Sequence, residues 1–270
     1  MFSISIIWLK FDKNTNKLKH VQPTNNCVGF FDSGLGGFSV VEFVAKTNPN
    51  QTFLYLKDSD NFPYGNKTDK QLKEIGYNCI KQLLIYKPTT ICIACNTMCC
   101  VLNDLNVNIP IIKINELIVR QVKNTLAKGS KILVICTNAT KKSMFYQNAL
   151  KEYNIKVLAT PELVEMVENN TINKTKVIDI ICNTSFKYEG IVLGCTHFNY
   201  FKDSFLKVFP KPIHFVDGNE GTINHLKRKL SDKKESLTQV EYYFSSRQVN
   251  EEELQKIHNF LKQLDKVYNK

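Results

Sequence analysis

Ile91-Cys92-Ile93-Ala94-Cys95-Asn96-Thr97 and, 100 positions later, Ile191-Val192-Leu193-Gly194-Cys195-Thr196-His197 are two versions of one phrase. In each, a short apolar run ends in a cysteine, and small hydroxyl or amide side chains follow at once. A run of this kind, bounded by turn residues, reads as a strand buried on both faces, the sort found in parallel sheets. Working outward, similar runs fall at residues 27–31, 52–56, 90–94 and 109–114, then at 131–135, 155–158, 191–193 and 213–216. Helical periodicity fills the gaps over residues 38–46, 69–86, 116–127, 142–153, 162–169 and 175–186. Strands that alternate with helices predict an α/β fold with mostly parallel sheets covered on both faces.

The order repeats. Each half runs strand, polar loop, helix, strand, helix, then a strand that ends in Cys95 or Cys195. Asp32 precedes Cys95 by 63 positions, and Thr137, at the matching loop, precedes Cys195 by 58. This predicts two similar α/β domains facing each other. Ligands of open α/β sheets bind beyond the carboxyl ends of the strands. Asp32, Cys95, Thr137 and Cys195 all stand at such ends, so one cleft between the domains is expected to hold them. The tail returns to strand character over residues 239–245. A helix is then expected after Asn250, with Leu254, Ile257, Leu261 and Leu264 as its apolar stripe. Residues 1–26 read as an extension before the first clear strand.

Composition narrows the function class. The 270 residues are 43% hydrophobic and 23% charged, ordinary for a globular chain with a real core. The net charge of +11 comes from lysines spread along the chain, without the compact basic run of a nucleic-acid arm. No nucleic-acid partner is therefore expected, although a basic field suits a small acidic ligand. Nine cysteines, an odd number lying mostly in apolar runs, point to free thiols in a reducing compartment. The apolar N-terminal stretch lacks a basic n-region and a cleavage site, and no segment approaches the roughly 20 apolar residues of a membrane span. A cytoplasmic protein without a membrane partner is the expectation, and a homodimer is left open.

Two thiols on opposite sides of one carbon centre would supply a base for one face and an acid for the other. That is what racemisation without a cofactor requires. Asn96, Thr97 and Thr196 offer amide and hydroxyl groups to a carboxylate or ammonium. His197, two residues past Cys195, can tune that thiol's protonation. Asp32-Ser33-Gly34-Leu35-Gly36-Gly37 opens a helix and allows close backbone approach. Phe62-Pro63-Tyr64-Gly65 is a rigid turn whose backbone can line a cleft. A dinucleotide site fits poorly, because Gly34-x-Gly36-x-x-Ser39 lacks the third glycine and Asp32 puts negative charge where a pyrophosphate would lie. Zinc fits poorly as well. Ile93-Ala94 continues a strand, so Cys92 and Cys95 point to opposite faces instead of flanking a turn.

Taken in order, Phe31 to Gly37, Phe62-Pro63-Tyr64-Gly65, Ala94-Cys95-Asn96-Thr97 and Leu193-Gly194-Cys195-Thr196-His197 resemble the signatures of the glutamate racemases in the Asp/Glu racemase superfamily. Thr137 and Thr140 resemble the family's central threonine pair, and residues 240–261 its closing strand and helix. The resemblance spans about residues 27–264. It implies a first domain of residues 27–115 with 215–270, a second of 116–214, and an active site between them. It implies that Cys95 and Cys195 are the acid/base pair of a glutamate racemase, with Asp32 and His197 assisting. Ser33, Asn96, Thr97, Thr137, Thr140 and Thr196 would bind substrate, with backbone contacts along Pro63, Tyr64 and Gly65. Glu168 matches the family's acidic residue. No pyridoxal phosphate or metal is implied, and the product D-glutamate would serve peptidoglycan synthesis. A racemase of aspartate or another small acidic amino acid, or a racemase-fold binding or regulatory protein with little turnover, are the alternatives. Met98-Cys99-Cys100, Thr160, Glu165 and Asp217-Gly218-Asn219 depart from the family pattern.

Overall fold

The chain begins with two strands, β1 (Ile7–Asp12) and β2 (Lys17–His20), within the segment expected to precede the first strand. Then follow β3 (Val28–Asp32), α1 (Gly36–Thr47), β4 (Thr52–Lys57), α2 (Asp69–Leu84), β5 (Thr90–Ile93), α3 (Asn96–Val101), β6 (Ile111–Lys113) and α4 (Ile114–Thr125). The second half brings β7 (Lys131–Cys136), α5 (Asn138–Lys142), α6 (Phe145–Ala149), β8 (Asn154–Ala159), α7 (Pro161–Glu168), α8 (Lys174–Cys182) and β9 (Gly190–Gly194). Last come α9 (Lys202–Val208), β10 (His214–Val216), α10 (Asn219–Leu230) and β11 (Gln239–Phe244). Short 3-10 turns occupy Tyr64–Asn66 and Thr196–Phe201. This computed structural model describes residues 7–12, 17–20, 27–47, 52–103, 105–182, 187–209, 213–230, 239–244 and 259. The helix expected after Asn250 lies outside the described residues.

Among the described residues the strands make two sheets, β2-β1-β11-β4-β3-β5-β6 and β10-β9-β7-β8. The run β4-β3-β5-β6 and the run β8-β7-β9-β10 have the same order, and every pair in both is parallel. The repetition read from the sequence is thus a repetition of topology. β3, β5 and β9 are buried at every residue, as continuous apolar strands under helices must be. β8, at the edge, is largely half-exposed. The returning β11 pairs with β4, and β1 adds to it antiparallel.

Register sets the site. Phe31 faces Ile93 and Cys136 faces Gly194, so Asp32, Cys95, Thr137 and Cys195 all emerge at carboxyl ends. The two sheets present those ends to each other. The 3-10 turn Thr196–Phe201 packs on α1, the turn Tyr64–Asn66 packs on α5, and α3 also meets α5.

Three helices, α3, α9 and α10, are absent from the sequence reading. Of the helix expected over 142–153 only α6, Phe145–Ala149, forms, and α5 before it ends at Lys142. Met144 sits in the left-handed region with φ +57°. The Ser143 hydroxyl accepts from the Phe145 N–H and donates to the Thr140 carbonyl, so the chain restarts with its backbone satisfied. Left-handed geometry costs an L-residue about 1–2 kcal/mol, and Met144 is 48% exposed. Met144→Gly should therefore raise stability by about 0.5–1 kcal/mol after the unfolded-state entropy of glycine is deducted. A thermal melt that moves downward would contradict this account.

Candidate active site

Asp32 ends β3 almost fully buried. Its Oδ1 accepts from the Gly34 N–H and the Ser33 hydroxyl, both at 3.3 Å, and its Oδ2 accepts from Thr196 Oγ1 at 2.9 Å. Thr196 belongs to the other half, so this bond crosses the cleft. Burial pushes the Asp32 carboxyl above its ordinary range, against the opposing pull of His197 and Thr196. The Cys95 thiol is held well above its usual value, first by burial and next by the charge of Asp32.

Around Cys195 the surroundings are different. His197 Nδ1 lies 3.6 Å from Cys195 Sγ, and Nε2 lies 2.6 Å from Glu168 Oε1. Burial alone would lower the imidazole pKa, but its bonds to Cys195 and Glu168 outweigh that and hold it well above the ordinary value. Burial would raise the Glu168 carboxyl, yet His197, Lys57 and the Leu35 N–H together hold it low. A buried imidazolium–carboxylate pair therefore stands behind Cys195. Glu168 also accepts from Leu35 N–H in the opposite half.

Close approach is what the glycines are for. A methyl at Gly34 would overlap the Glu168 carboxylate, and one at Gly36 would overlap the Thr196 hydroxyl and meet His197 N at 2.7 Å. Only a residue without Cβ lets the Asp32–Gly37 loop lie against the Cys195–His197 loop.

Between these loops is a cavity of about 280 Å3, near the lower end of small-molecule sites, roughly 300–1,000 Å3. It brings together Asp32, Ser33, Pro63, Tyr64, Gly65, Cys95, Asn96, Thr97, Thr137, Cys195, Thr196 and His197. Among the described residues its lining contains no lysine or arginine. Tyr64 is anchored by its hydroxyl, which donates to Asp58 Oδ2 at 2.7 Å.

Glu168 and Thr140, expected among the substrate-contacting residues, do not line the cavity; each stands one hydrogen bond behind it. Glu168 is engaged by His197 and Leu35. Thr140 closes a hydroxyl triad in which Thr97 and Thr137 lie 2.9 Å apart, with Thr140 at 3.3 Å and 3.0 Å from them. The sequence reading missed Asn66, Asn138, Pro161, Val164 and Glu165, which also line the cavity. A helical wheel of α7 could have found three of them, since 161, 164, 165 and 168 share one face.

Comparison with known proteins gives one answer. The family model for Asp/Glu/Hydantoin racemase matches residues 40–226. A glutamate racemase of Lachnospira eligens is 32% identical, over 89% of this chain and 99% of its own. A glutamate racemase of Campylobacter curvus is 35% identical, over 89% and 98%. Among solved structures, the glutamate racemase of Campylobacter jejuni superimposes with a TM-score of 0.77 at 26% identity, covering 86% of this chain and 96% of the other.

The buried pair sets a pH-dependent stability. Glu168, with its pKa lowered, contributes above its unfolded value of 4.5 and loses that contribution as pH falls through its folded value. His197, with its pKa raised, contributes below 6.5 and loses that contribution as pH rises through its folded value. Glu168→Gln should therefore destabilise by on the order of 3 kcal/mol, with the deficit widest between pH 4.5 and 6.5 and narrowing on both sides. Denaturant melts of both proteins across pH measure it. A constant gap would contradict the pair.

Proposed function

The chain belongs to the Asp/Glu/Hydantoin racemase family, and from that premise we propose that it interconverts L- and D-glutamate by proton transfer between two thiols. The observation that carries the reading is that Cys95 and Cys195 arrive from equivalent strand ends of two topologically matching sheets to line one small cavity. No cofactor has a role in this scheme, because the two sulfurs supply both base and acid.

The step balances as follows. A thiolate on one side takes the α-proton, the C–H electron pair passes into the substrate carboxylate as a carbanion of enediolate form, and the opposite thiol returns a proton to the other face. One sulfur ends protonated and the other ionised, with the configuration inverted. The α-proton is weakly acidic, so donors must meet the charge that builds on the carboxylate, in a cavity that excludes water. Asn96, Thr97, Thr137 and Thr196, with Ser33 and the backbone along Pro63, Tyr64 and Gly65, are the groups available. A thiol as reluctant to ionise as Cys95 gives a strong base once it has ionised. Asp32, its own carboxyl pushed upward by burial, is the nearby acceptor for that thiol's proton. On the other side, His197, its pKa raised by its bonds to Cys195 and Glu168, is the group that exchanges a proton with Cys195. The two halves thus reset by different chemistry.

The reading extends to the cell: a cytoplasmic enzyme supplying D-glutamate for peptidoglycan. Among the described residues, no helix is long and apolar enough to cross a membrane.

Loss of optical rotation from L-glutamate, together with α-deuteration in D2O, tests the activity. Cys95→Ser and Cys195→Ser should each lower turnover by about 10^3-fold or more, the full worth of a positioned acid or base. Wild-type turnover in either variant refutes the two-thiol scheme. Turnover of aspartate in preference to glutamate refutes the assigned substrate.

A further inference from the structure

Asn96 is 2% exposed and lines the cavity, yet among the described residues its amide nitrogen Nδ2 has no hydrogen-bond partner. A buried amide donor left without an acceptor costs about 1–3 kcal/mol, and native proteins rarely tolerate one without reason. The other end of the same amide is tightly engaged. Asn96 Oδ1 accepts from the Tyr146 hydroxyl at 2.6 Å.

Tyr146 lies in α6, which belongs to the other half, and is 1% exposed. Its ring edge is also close to the backbone of the second cysteine loop. A methyl placed on Gly194, the residue before Cys195, would come within 3.1 Å of the Tyr146 ring. One side chain thus touches the residue after Cys95 with its hydroxyl and the residue before Cys195 with its ring. Phe145 packs edge-on against it, with ring centroids 5.2 Å apart, and limits its tilt. Burial among thiols pushes the phenol well up, so it keeps its proton and remains a donor.

We propose that Tyr146 is a positioning residue that fixes the orientation of the Asn96 amide, so that Nδ2 faces the cavity as a donor to a carboxylate oxygen of the substrate. With the phenol donating to Oδ1, Nδ2 is left for the ligand, whereas the flipped amide would give its N–H to the phenol oxygen and turn its carbonyl on the substrate. Without it, the amide can rotate and present a carbonyl to a carboxylate, which repels instead of binding. The same contact ties the spacing of the Cys95 loop to that of the Cys195 loop. The inference rests on the glutamate racemase reading above.

A double-mutant cycle on Tyr146→Phe and Asn96→Ala tests it, with kcat/KM for glutamate and Kd for D-glutamate as readouts. Tyr146→Phe should lower kcat/KM and weaken binding about tenfold or more, the effect of losing one bond to a charged ligand. In the Asn96→Ala background the same change should alter either quantity by less than about twofold, because the group it orients is gone. A merely structural tyrosine would give the full loss in both backgrounds, together with a matching fall in melting temperature, and that result overturns the proposal. Wild-type protein that fails to racemise glutamate overturns the functional reading itself and this inference with it. Where the Asn96 variant turns over too slowly, calorimetric Kd values close the cycle.

Discussion

The site depends on keeping three ionisable groups out of water in a charge arrangement that closes on itself. Asp32, Glu168 and His197 are all buried or nearly so. Isolated burial of any one would be expensive. Together they form a seam. Thr196 donates to Asp32, His197 pairs with Glu168, and Glu168 accepts from Leu35 N–H. Each of these links except the His197 pair crosses from one half to the other. Lys57, itself buried, adds positive charge near Glu168. The halves therefore meet through polar groups that are satisfied only when the halves are together. The bare backbone at Gly34 and Gly36 is the steric condition for that meeting.

The duplication is topological but not chemical. Both cysteines close the same strand of the same four-strand pattern. Their neighbours differ: Cys95 stands near a carboxyl group, and Cys195 stands beside an imidazole whose far nitrogen meets a second carboxylate. An acidic helper and a cationic helper can both move protons, but they respond in opposite ways to a change in local charge. The scaffold supplies the mirror relation between the thiols, and the loops supply the difference between them. The Thr97–Thr137–Thr140 hydroxyls bridge the halves at a further point, where Gly65 also comes near Thr137.

Much of this arrangement was legible from the chain. The buried strands announced themselves through continuous apolar runs, and the repeated cysteine phrase announced the pseudo-symmetry, because both are local patterns. Thirteen cavity residues were named from motifs, nine of them at strand ends, where the backbone leaves little freedom over where a side chain emerges, and four from the turn Phe62-Pro63-Tyr64-Gly65. What escaped was set by tertiary context. The break at Met144 depends on a left-handed residue that composition does not reveal. The placement of Glu168 behind His197, and not on the cavity wall, depends on how far α7 approaches Leu35. Tyr146 carries no local signal at all: its partner is 50 positions away. The strands of the N-terminal segment pair with each other as a local hairpin, but they join the sheet only through β11, which returns from the far end of the sequence.

Among the described residues the cavity wall has neither lysine nor arginine, and its imidazole, His197, already has a carboxylate partner. An acidic ligand in such a place is held by the dipoles of amides and hydroxyls. Dissolved ions screen charge–charge attraction far more than they screen short contacts with neutral groups. The lifetime of the bound ligand should then be nearly indifferent to ionic strength, while the surrounding field of the +11 chain still governs how quickly the ligand arrives. Arrival and retention are thereby separated: osmotic or saline stress would slow capture without loosening the grip.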